Sequence, residues 1–343
     1  MPASTVRGRF APTPSGRMHL GNAWTALWAW LQVRRHNGSL VLRMEDLDLA
    51  RCKPAYAETI PADLRWLGLD WDEGPGVGGP HAPYVQSERV HRYEQVFQQL
   101  VHSGWLYPCF CTRSERLAIA SAPHADGDSA PVRCACRDLD EAKRTERARD
   151  KTPSWRLRIP DETIRFHDIH AGVQTVAARF LPDVVIKRSD GIIGYQLAVV
   201  VDDAEMDISH VLRGADLLTS AAIQTVLFKA LHRTVPRFAH VPLLCDENGR
   251  RLAKRHEDAS LAALRHAGVP AQRVLGVFAH LAGLQAQPDP VDARDLLNHT
   301  GPRFSSMAPI RIPSEWLYRV LYEGDTRPCP TRTEVESTGR PNE

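Results

Sequence analysis

Residues 12–22, near the start of the chain, have types and spacing that suit nucleotide binding. They follow a predicted strand at 6–11 and begin with Pro12-Thr-Pro-Ser-Gly16, a loop that cannot stay regular; His19 and Gly21 then precede a predicted helix. Amide groups at a helix start point toward an anion, and the helix dipole adds about half a positive charge there. His19 can donate to a phosphate or ribose oxygen, and Gly21 leaves space for a purine or sugar. The alternative is that His19 only caps or packs.

A second cationic segment lies far along the chain, at Arg251-Leu-Ala-Lys-Arg255. Lys254 suits a reaction whose transition state builds negative charge on a polyphosphate, because a mobile point charge can engage at that stage alone. A solvated basic turn is the alternative. Neither G-x-x-x-x-G-K-[ST] nor a strand followed by G-x-G-x-x-G occurs, so the sequence excludes these two common nucleotide signatures.

Four of the seven cysteines form two C-x-C pairs, Cys109 with Cys111 and Cys134 with Cys136. Four thiolates can close a tetrahedral zinc site of the structural type, which has no open coordination position. In a chain without a visible export signal, metal binding is favoured over disulfides. Four reduced thiols are the alternative, and His124 is a second choice for a ligand.

The composition indicates an ordinary globular chain of about two domains. It has 343 residues with 43% apolar and 24% charged residues, which argues against a disordered, collagen-like or disulfide-scaffold protein. Lys and Arg number 43 against 41 Asp and Glu, so a polyanion would bind through local clustering rather than through the overall field. No apolar run is long enough to span a bilayer and no signal peptide is visible, so the expected compartment is the cytoplasm.

The order of predicted elements indicates an α/β fold with parallel strands, because strands at 6–11 and 39–44 alternate with helices. The sequence texture changes near Tyr107, where the cysteine pairs begin. The predicted division is 1–106 and 183–244 as two halves of one catalytic domain, 107–182 as a metal-binding insertion, 245–320 as the basic loop with a helical stem region, and 321–343 as a disordered tail.

These motifs resemble the class I aminoacyl-tRNA synthetases. His19-Leu-Gly-Asn22 resembles their "HIGH" element, and Arg251-Leu-Ala-Lys-Arg255 resembles "KMSKS", with Ala253 where a serine is usual. The segments 9–16, 42–48, 71–75 and 210–216 are similar to glutamyl-tRNA synthetase motifs. The resemblance covers about residues 7–285 and implies a Rossmann-like (HUP) parallel sheet with a zinc-binding insertion and a short helical stem region.

The resemblance also implies site residues. Arg9 meets the side-chain carboxylate of L-glutamate, Glu45 meets its amino group, and Tyr195 and Arg213 complete the pocket. The full expected set for glutamate is Arg9, Phe10, Ala11, Pro12, Thr13, Glu45, Tyr195 and Arg213; for ATP it is His19, Gly21, Asn22 and Lys254, with His19 and Lys254 as the catalytic residues. Taken alone, Arg9 could be an ordinary ion pair, Glu45 could cap a turn and Tyr195 could be core. Asp202-Asp203 is expected to form structural hydrogen bonds rather than a metal site.

For the metal, the resemblance supports zinc at Cys109, Cys111, Cys134 and Cys136. The family usually has a tyrosine ligand where this chain has Val132, so Cys134 replaces it or the fourth ligand lies elsewhere. Mg²⁺ is expected with ATP.

The acceptor of the glutamate is indicated by architecture, because the residues after the basic loop are too few for a helical anticodon-binding domain. With the segments 183–191 and 195–203, this resembles the glutamyl-queuosine tRNA(Asp) synthetases. The resemblance implies activation of glutamate without tRNA, then esterification to queuosine at the wobble position of tRNA(Asp). A minimal glutamyl-tRNA synthetase charging tRNA(Glu) and a catalytically silent tRNA-binding paralogue remain alternatives. The expected state is a monomer without membrane contact.

Overall fold

Strands and helices alternate through most of this computed structural model, which describes residues 6–112, 115, 134–252, 260–299, 301–302, 304 and 306–329. In chain order the elements are β1 (Arg7–Phe10), α1 (Leu20–Arg34), β2 (Ser39–Leu42), α2 (Pro54–Trp66), α3 (Val90–His102), β3 (Leu106–Cys109), α4 (Glu141–Asp150), β4 (Ser154–Leu157), β5 (Thr163–Asp168), β6 (Gly172–Ala177), β7 (Val185–Lys187), α5 (Tyr195–Glu205), β8 (His210–Gly214), α6 (Leu218–Ala230), β9 (Arg237–Val241), β10 (Leu244–Asp246), α7 (Leu261–His266), α8 (Ala271–Leu281), β11 (Ile310–Ile312) and α9 (Ser314–Tyr318).

The main sheet has six strands in the order β2-β1-β8-β9-β5-β6. Neighbouring strands are parallel from β2 to β5, and only β6 runs antiparallel to its neighbour β5. The predicted parallel α/β fold is therefore confirmed. From the junction of β1 and β8, the strand order runs to β2 in one direction and to β9 in the other. In such sheets ligands bind beyond the carboxyl ends of the strands, where the strand order reverses.

Helix α1 packs its apolar residues into the first of two large cores. Trp24 and Trp28 are fully buried and meet edge to face, with ring centroids 5.3 Å apart. Trp24 also meets Phe278 of α8 with a centroid distance of 5.5 Å. This packing fixes the start of α1, and therefore His19, relative to the sheet. A second large core lies among α3, α5 and α6.

The expected insertion at 107–182 is wrong in its boundaries. Its hairpin β5–β6 extends the main sheet, since Asp168 of β5 pairs with Phe238 of β9. Conversely, β7 lies beyond the expected end of the insertion but pairs with β4, in a small antiparallel sheet ordered β3-β4-β7. The main sheet thus contains two strands of the predicted insertion, and the small sheet contains one strand of the predicted catalytic domain.

The expected disorder from residue 321 onward is wrong for residues 321–329. Leu321 is buried, Trp316 Nε1 donates to the carbonyl of Arg327 at 2.9 Å, and the amide of Cys329 donates to His280 Nε2 at 2.9 Å. Residues 330–343 lie outside the described part of the chain. Among the helices of the described residues, none combines the length and apolar character needed to cross a membrane.

Candidate active site

A cavity of about 520 Å³ opens at the carboxyl ends of β1 and β8, two neighbouring strands inside the main sheet. The loop after β1, the start of α1 and the loop after β8 form its walls. The lining residues are Arg9, Phe10, Ala11, Pro12, Thr13, Ser15, Gly16, Arg17, His19, Asn22, Thr25, Glu45, Arg51, Tyr195, Leu212, Arg213, Gly214, Asp216 and Leu217.

The structure brings together all eight residues that were expected to bind glutamate, because each of them lines this cavity. His19 and Asn22 of the expected ATP site line it too. Gly21 does not. A Cβ at Gly21 would stand 3.1 Å from the His19 ring, so glycine here makes room for the imidazole. Lys254 and Ala253 lie outside the described residues, as do His124 and Val132.

Arg9 belongs to a buried network of charges under one wall of the cavity. Its Nε donates to Asp203 at 3.3 Å, and the same carboxylate accepts from Arg43 Nη1 at 2.8 Å. Arg43, which is fully buried, also donates to Glu45 at 3.1 Å and lies 3.4 Å from Asp202. The network therefore holds Glu45 in place at the cavity wall.

The two charges of the Arg43–Glu45 pair respond differently to burial. Burial raises the pKa of Glu45, and the positive charges of Arg43 and Arg9 oppose that shift. Burial alone would lower the pKa of Arg43, but Asp203, Asp202 and Glu45 together raise it. Arg43 consequently remains charged, and its charge favours the carboxylate form of Glu45.

Asp202 and Asp203 form structural hydrogen bonds, as expected. Asp202 accepts from Arg89 at 2.7 Å, from Gln86 at 2.8 Å and from Tyr93 at 2.9 Å. A carboxylate with this many donors has little capacity left for a cation.

Arg213 also lines the cavity and is held by neutral groups. Its Nε donates to His240 Nε2 at 3.1 Å, its Nη1 to Gln224 at 2.7 Å, and its Nη2 to the carbonyl of Leu217 at 3.3 Å. Burial lowers the pKa of Arg213. An anion in the cavity would offset this cost of burying the guanidinium.

His19 caps helix α1 as well as lining the cavity. Its Nδ1 accepts from the amides of Gly21 at 3.1 Å and Asn22 at 3.3 Å, and the Asn22 side chain accepts from the His19 amide at 3.3 Å. This reciprocal cap assigns the proton of the neutral ring to Nε2. The capping alternative for His19 is thus realised.

Several cavity residues were missed by the sequence analysis, namely Arg17, Thr25, Arg51 and Asp216. Asp216 accepts from Arg251 at 2.9 Å, which joins the cavity to the first residue of the KMSKS-like segment. Arg43 was also missed, although it stands two residues before Glu45 and so on the same side of an extended segment. That spacing was a usable signal.

The four cysteines form a separate cluster between β3 and α4. The Sγ atoms of Cys109, Cys111, Cys134 and Cys136 all lie within 4.8 Å of one another. Measured pairs are 3.6 Å for 109–134, 3.3 Å for 111–134 and 3.7 Å for 111–136. Zinc–sulfur bonds of about 2.3 Å in a tetrahedron place sulfurs roughly 3.8 Å apart, so the cluster can hold a metal ion.

Comparison with known proteins agrees with this geometry. The family model described as "tRNA synthetases class I (E and Q), catalytic domain" matches residues 5–302. A "Glutamyl-Q tRNA(Asp) synthetase" from Symbiobacterium thermophilum is 52% identical over 90% of this chain and 96% of its own length. One of the same name from Nitratidesulfovibrio vulgaris is 46% identical over 94% of this chain and 100% of its own.

Among solved structures, a glutamate tRNA ligase from Elizabethkingia meningosepticum, crystallised in complex with its amino acid, matches with a TM-score of 0.77. It is 29% identical, and the match covers 91% of this chain and 68% of that one. The predicted family and fold class are confirmed. This chain belongs to the class I tRNA synthetases for glutamate and glutamine, and within them to the glutamyl-Q tRNA(Asp) synthetases.

Proposed function

We propose that this protein activates L-glutamate with ATP and transfers it to the queuosine base at the wobble position of tRNA(Asp). One observation carries the proposal: a single cavity presents a carboxylate, Glu45, on one wall and the cations Arg9 and Arg213 beside it. That charge pattern complements an amino acid that has a second carboxylate. The two relatives named for this activity support it, since both match over nearly their whole length.

In the proposed complex, Glu45 binds the ammonium group of glutamate and the arginines bind its carboxylates. Arginine suits this role because its planar fork can donate to both oxygens. The α-carboxylate then attacks the α-phosphorus of ATP in line, and the bond to the β,γ-diphosphate breaks. The products are glutamyl-adenylate and pyrophosphate.

We expect His19 and the start of α1 to meet the phosphates of ATP. His19 lines the cavity, and the positive end of the dipole of α1, a helix of 15 residues, favours an anion such as a phosphate. Mg²⁺ bound with ATP would supply further positive charge. Lys254 stays a prediction for stabilising the leaving pyrophosphate.

In the second step, a hydroxyl of the queuosine cyclopentene-diol attacks the activated carbonyl, and AMP leaves. We expect this acceptor to reach the cavity once the base is splayed out of the anticodon loop, as single-stranded RNA allows. Holding the acceptor close to the adenylate is itself a source of rate acceleration.

The test is glutamate-dependent ATP–pyrophosphate exchange without tRNA, followed by transfer of labelled glutamate to tRNA. We expect exchange in the absence of tRNA, and transfer to tRNA(Asp) that contains queuosine but not to tRNA(Asp) that lacks it. Transfer to the 3′ end of tRNA(Glu) alone would establish the minimal glutamyl-tRNA synthetase instead. The absence of any exchange would favour the silent tRNA-binding paralogue.

We further propose that the four-cysteine cluster holds one structural zinc ion. Burial raises the pKa of Cys134 to about 11, so this thiol needs a nearby cation to ionise at neutral pH. The ion would join β3 to the turn before α4, and it has no part in the reaction. We expect Cys134→Ser to lose zinc and to unfold at lower temperature, as measured by elemental analysis and thermal melting. Cys245→Ser is the control, because Cys245 is buried outside the cluster.

A further inference from the structure

Arg9, Arg213, His240 and Asp168 stand on four consecutive strands of the main sheet, namely β1, β8, β9 and β5. Arg213 and His240 are register partners across β8 and β9. Asp168 is the last residue of β5, on the hairpin that the sequence analysis assigned to the insertion. The sheet thus carries a line of polar groups from the cavity into the interior.

Hydrogen bonds connect Arg213 to His240 and His240 to Asp168. His240 Nδ1 lies 2.6 Å from Asp168 Oδ2, and both side chains have 0% exposure. The other oxygen of Asp168 accepts from the amides of Ala171 at 2.8 Å and His170 at 3.0 Å. Neither Asp168 nor His240 is among the residues that line the cavity. Their hydrogen-bond connection to the cavity runs through Arg213.

The hydrogen bonds fix both the tautomer and the charge of His240. Arg213 Nε is always a donor, so His240 Nε2 must accept, and the ring proton resides on Nδ1, where it is donated to Asp168. A protonated ring would face Arg213 with a second donor and a second positive charge. Although burial opposes it, the hydrogen bonds from His240 and the Ala171 amide lower the pKa of Asp168.

We infer that Asp168 and His240 are positioning residues for the amino-acid carboxylate, because they lock the guanidinium of Arg213 in the orientation that faces the cavity. Gln224 holds the other side of that guanidinium and is itself oriented by Gln196, whose Oε1 accepts from Gln224 Nε2 at 2.9 Å. The inference rests on the proposed function, since it assigns the ligand of Arg213 to a carboxylate of glutamate.

Asp168→Asn tests whether Asp168 acts on Arg213 through the tautomer of His240. The two backbone amides keep the carbonyl oxygen of the substituted side chain in the place of Oδ1, so its NH₂ group faces His240 Nδ1. The ring must then accept at Nδ1 and carry its proton on Nε2, which places two donors, Nε2 and Arg213 Nε, against each other. We expect the KM for glutamate in pyrophosphate exchange to rise about tenfold or more, with the KM for ATP unchanged within about twofold.

Two substitutions of His240 separate the roles of its nitrogens. His240→Gln keeps an acceptor near the position of Nε2, whereas His240→Asn keeps a donor near Nδ1 and removes the acceptor. We expect the KM for glutamate to rise less in the glutamine variant than in the asparagine variant. Asp183→Asn is the matched control, because Asp183 is a buried carboxylate that binds Arg137 at 2.9 Å in the small sheet region. It should leave the KM for glutamate unchanged.

The inference is overturned if Asp168→Asn leaves the KM for glutamate unchanged, or if glutamate and ATP lose affinity together as they would in a loosened fold. If Asp168→Asn does not fold, the order of the two His240 variants decides the matter. An unmodified protein without glutamate-dependent exchange would contradict the proposed function itself and would be seen before any variant is made.

Discussion

Arg9 and Arg213 stand on neighbouring strands, line one cavity and are equally buried, each with 4% exposure, yet their charges are balanced in different ways. Arg9 lies against the carboxylate of Asp203, which it shares with Arg43. Arg213 has neutral hydrogen-bond acceptors, and the nearest carboxylate along its chain of hydrogen bonds is Asp168, beyond His240. One part of the cavity lining, here called the Arg9 wall, is thus a network of ion pairs. Another part, the Arg213 wall, is a cation held by neutral groups.

This difference separates stability from affinity. A buried charge is costly unless an opposite charge compensates it. Under the Arg9 wall the fold supplies that compensation, so these residues should matter first for folding. At the Arg213 wall the compensation of the buried charge is incomplete until an anion binds. Arg213 should therefore matter first for ligand binding.

Arg43→Met should have the largest effect. It removes the cation that Glu45, Asp202 and Asp203 share, and breaking a buried pair in this way typically costs about 3–5 kcal/mol. The measurement is the free energy of unfolding in urea. Arg92→Met serves as the control: Arg92 is half exposed and pairs with Glu205, which Arg89 also binds. An exposed pair contributes about 1 kcal/mol or less. Equal losses in the two variants would refute the comparison.

Arg213→Gln should show the opposite pattern. Loss of a buried charged partner for the substrate carboxylate should raise the KM for glutamate about a hundredfold. The free energy of unfolding should change by only about 1 kcal/mol, because the loss of hydrogen bonds to neutral acceptors is offset by the removal of a buried charge. Pyrophosphate exchange and urea unfolding of one preparation provide both values. A variant that unfolds as readily as Arg43→Met but binds glutamate normally would reverse the assignment of the two walls.

Much of the site followed from the sequence, because the family resemblance implied the glutamate residues, and the loop after β1 and the start of α1 are local features. The eight expected glutamate residues and His19 come together in one cavity. The pairing of the buried charges was harder to predict from the sequence. That Arg43 binds Asp203 depends on a contact between the segment after β2 and helix α5, 160 residues apart.

The boundary of the insertion failed for a related reason. In β5, Ile164, Phe166 and Asp168 are the buried positions of a strictly alternating pattern, so an acidic residue on the inner face of a strand was visible in the sequence. The strand that pairs with β5 was not visible in the sequence, because pairing of β5 with β9 is decided by tertiary packing. Without that pairing, the cysteine-rich texture made β5 and β6 look like part of a separate unit.

The smallest expected effect is a dependence of the free energy of unfolding on pH. Its sign should be opposite for His240, which binds Arg213, and for Glu45, which binds Arg43. Burial lowers the pKa of His240 below its ordinary value of 6.5, despite the hydrogen bond to Asp168, and Arg213 acts in the same direction. Below about pH 6.5 the unfolded chain therefore binds a proton that the folded chain does not, and acid reduces the free energy of unfolding through this residue.

Glu45 acts in the other direction, because burial raises its pKa above 4.5. Between 4.5 and the raised value the folded chain binds the extra proton, so acid increases the free energy of unfolding through Glu45. Each slope is limited to about 1.4 kcal/mol per pH unit for one proton. Urea unfolding between pH 7 and pH 5 should therefore show a smaller acid loss than the unmodified protein in His240→Gln and a larger one in Glu45→Gln. Shifts of the same sign in both variants would mean that the two walls do not differ in how burial affects their charges.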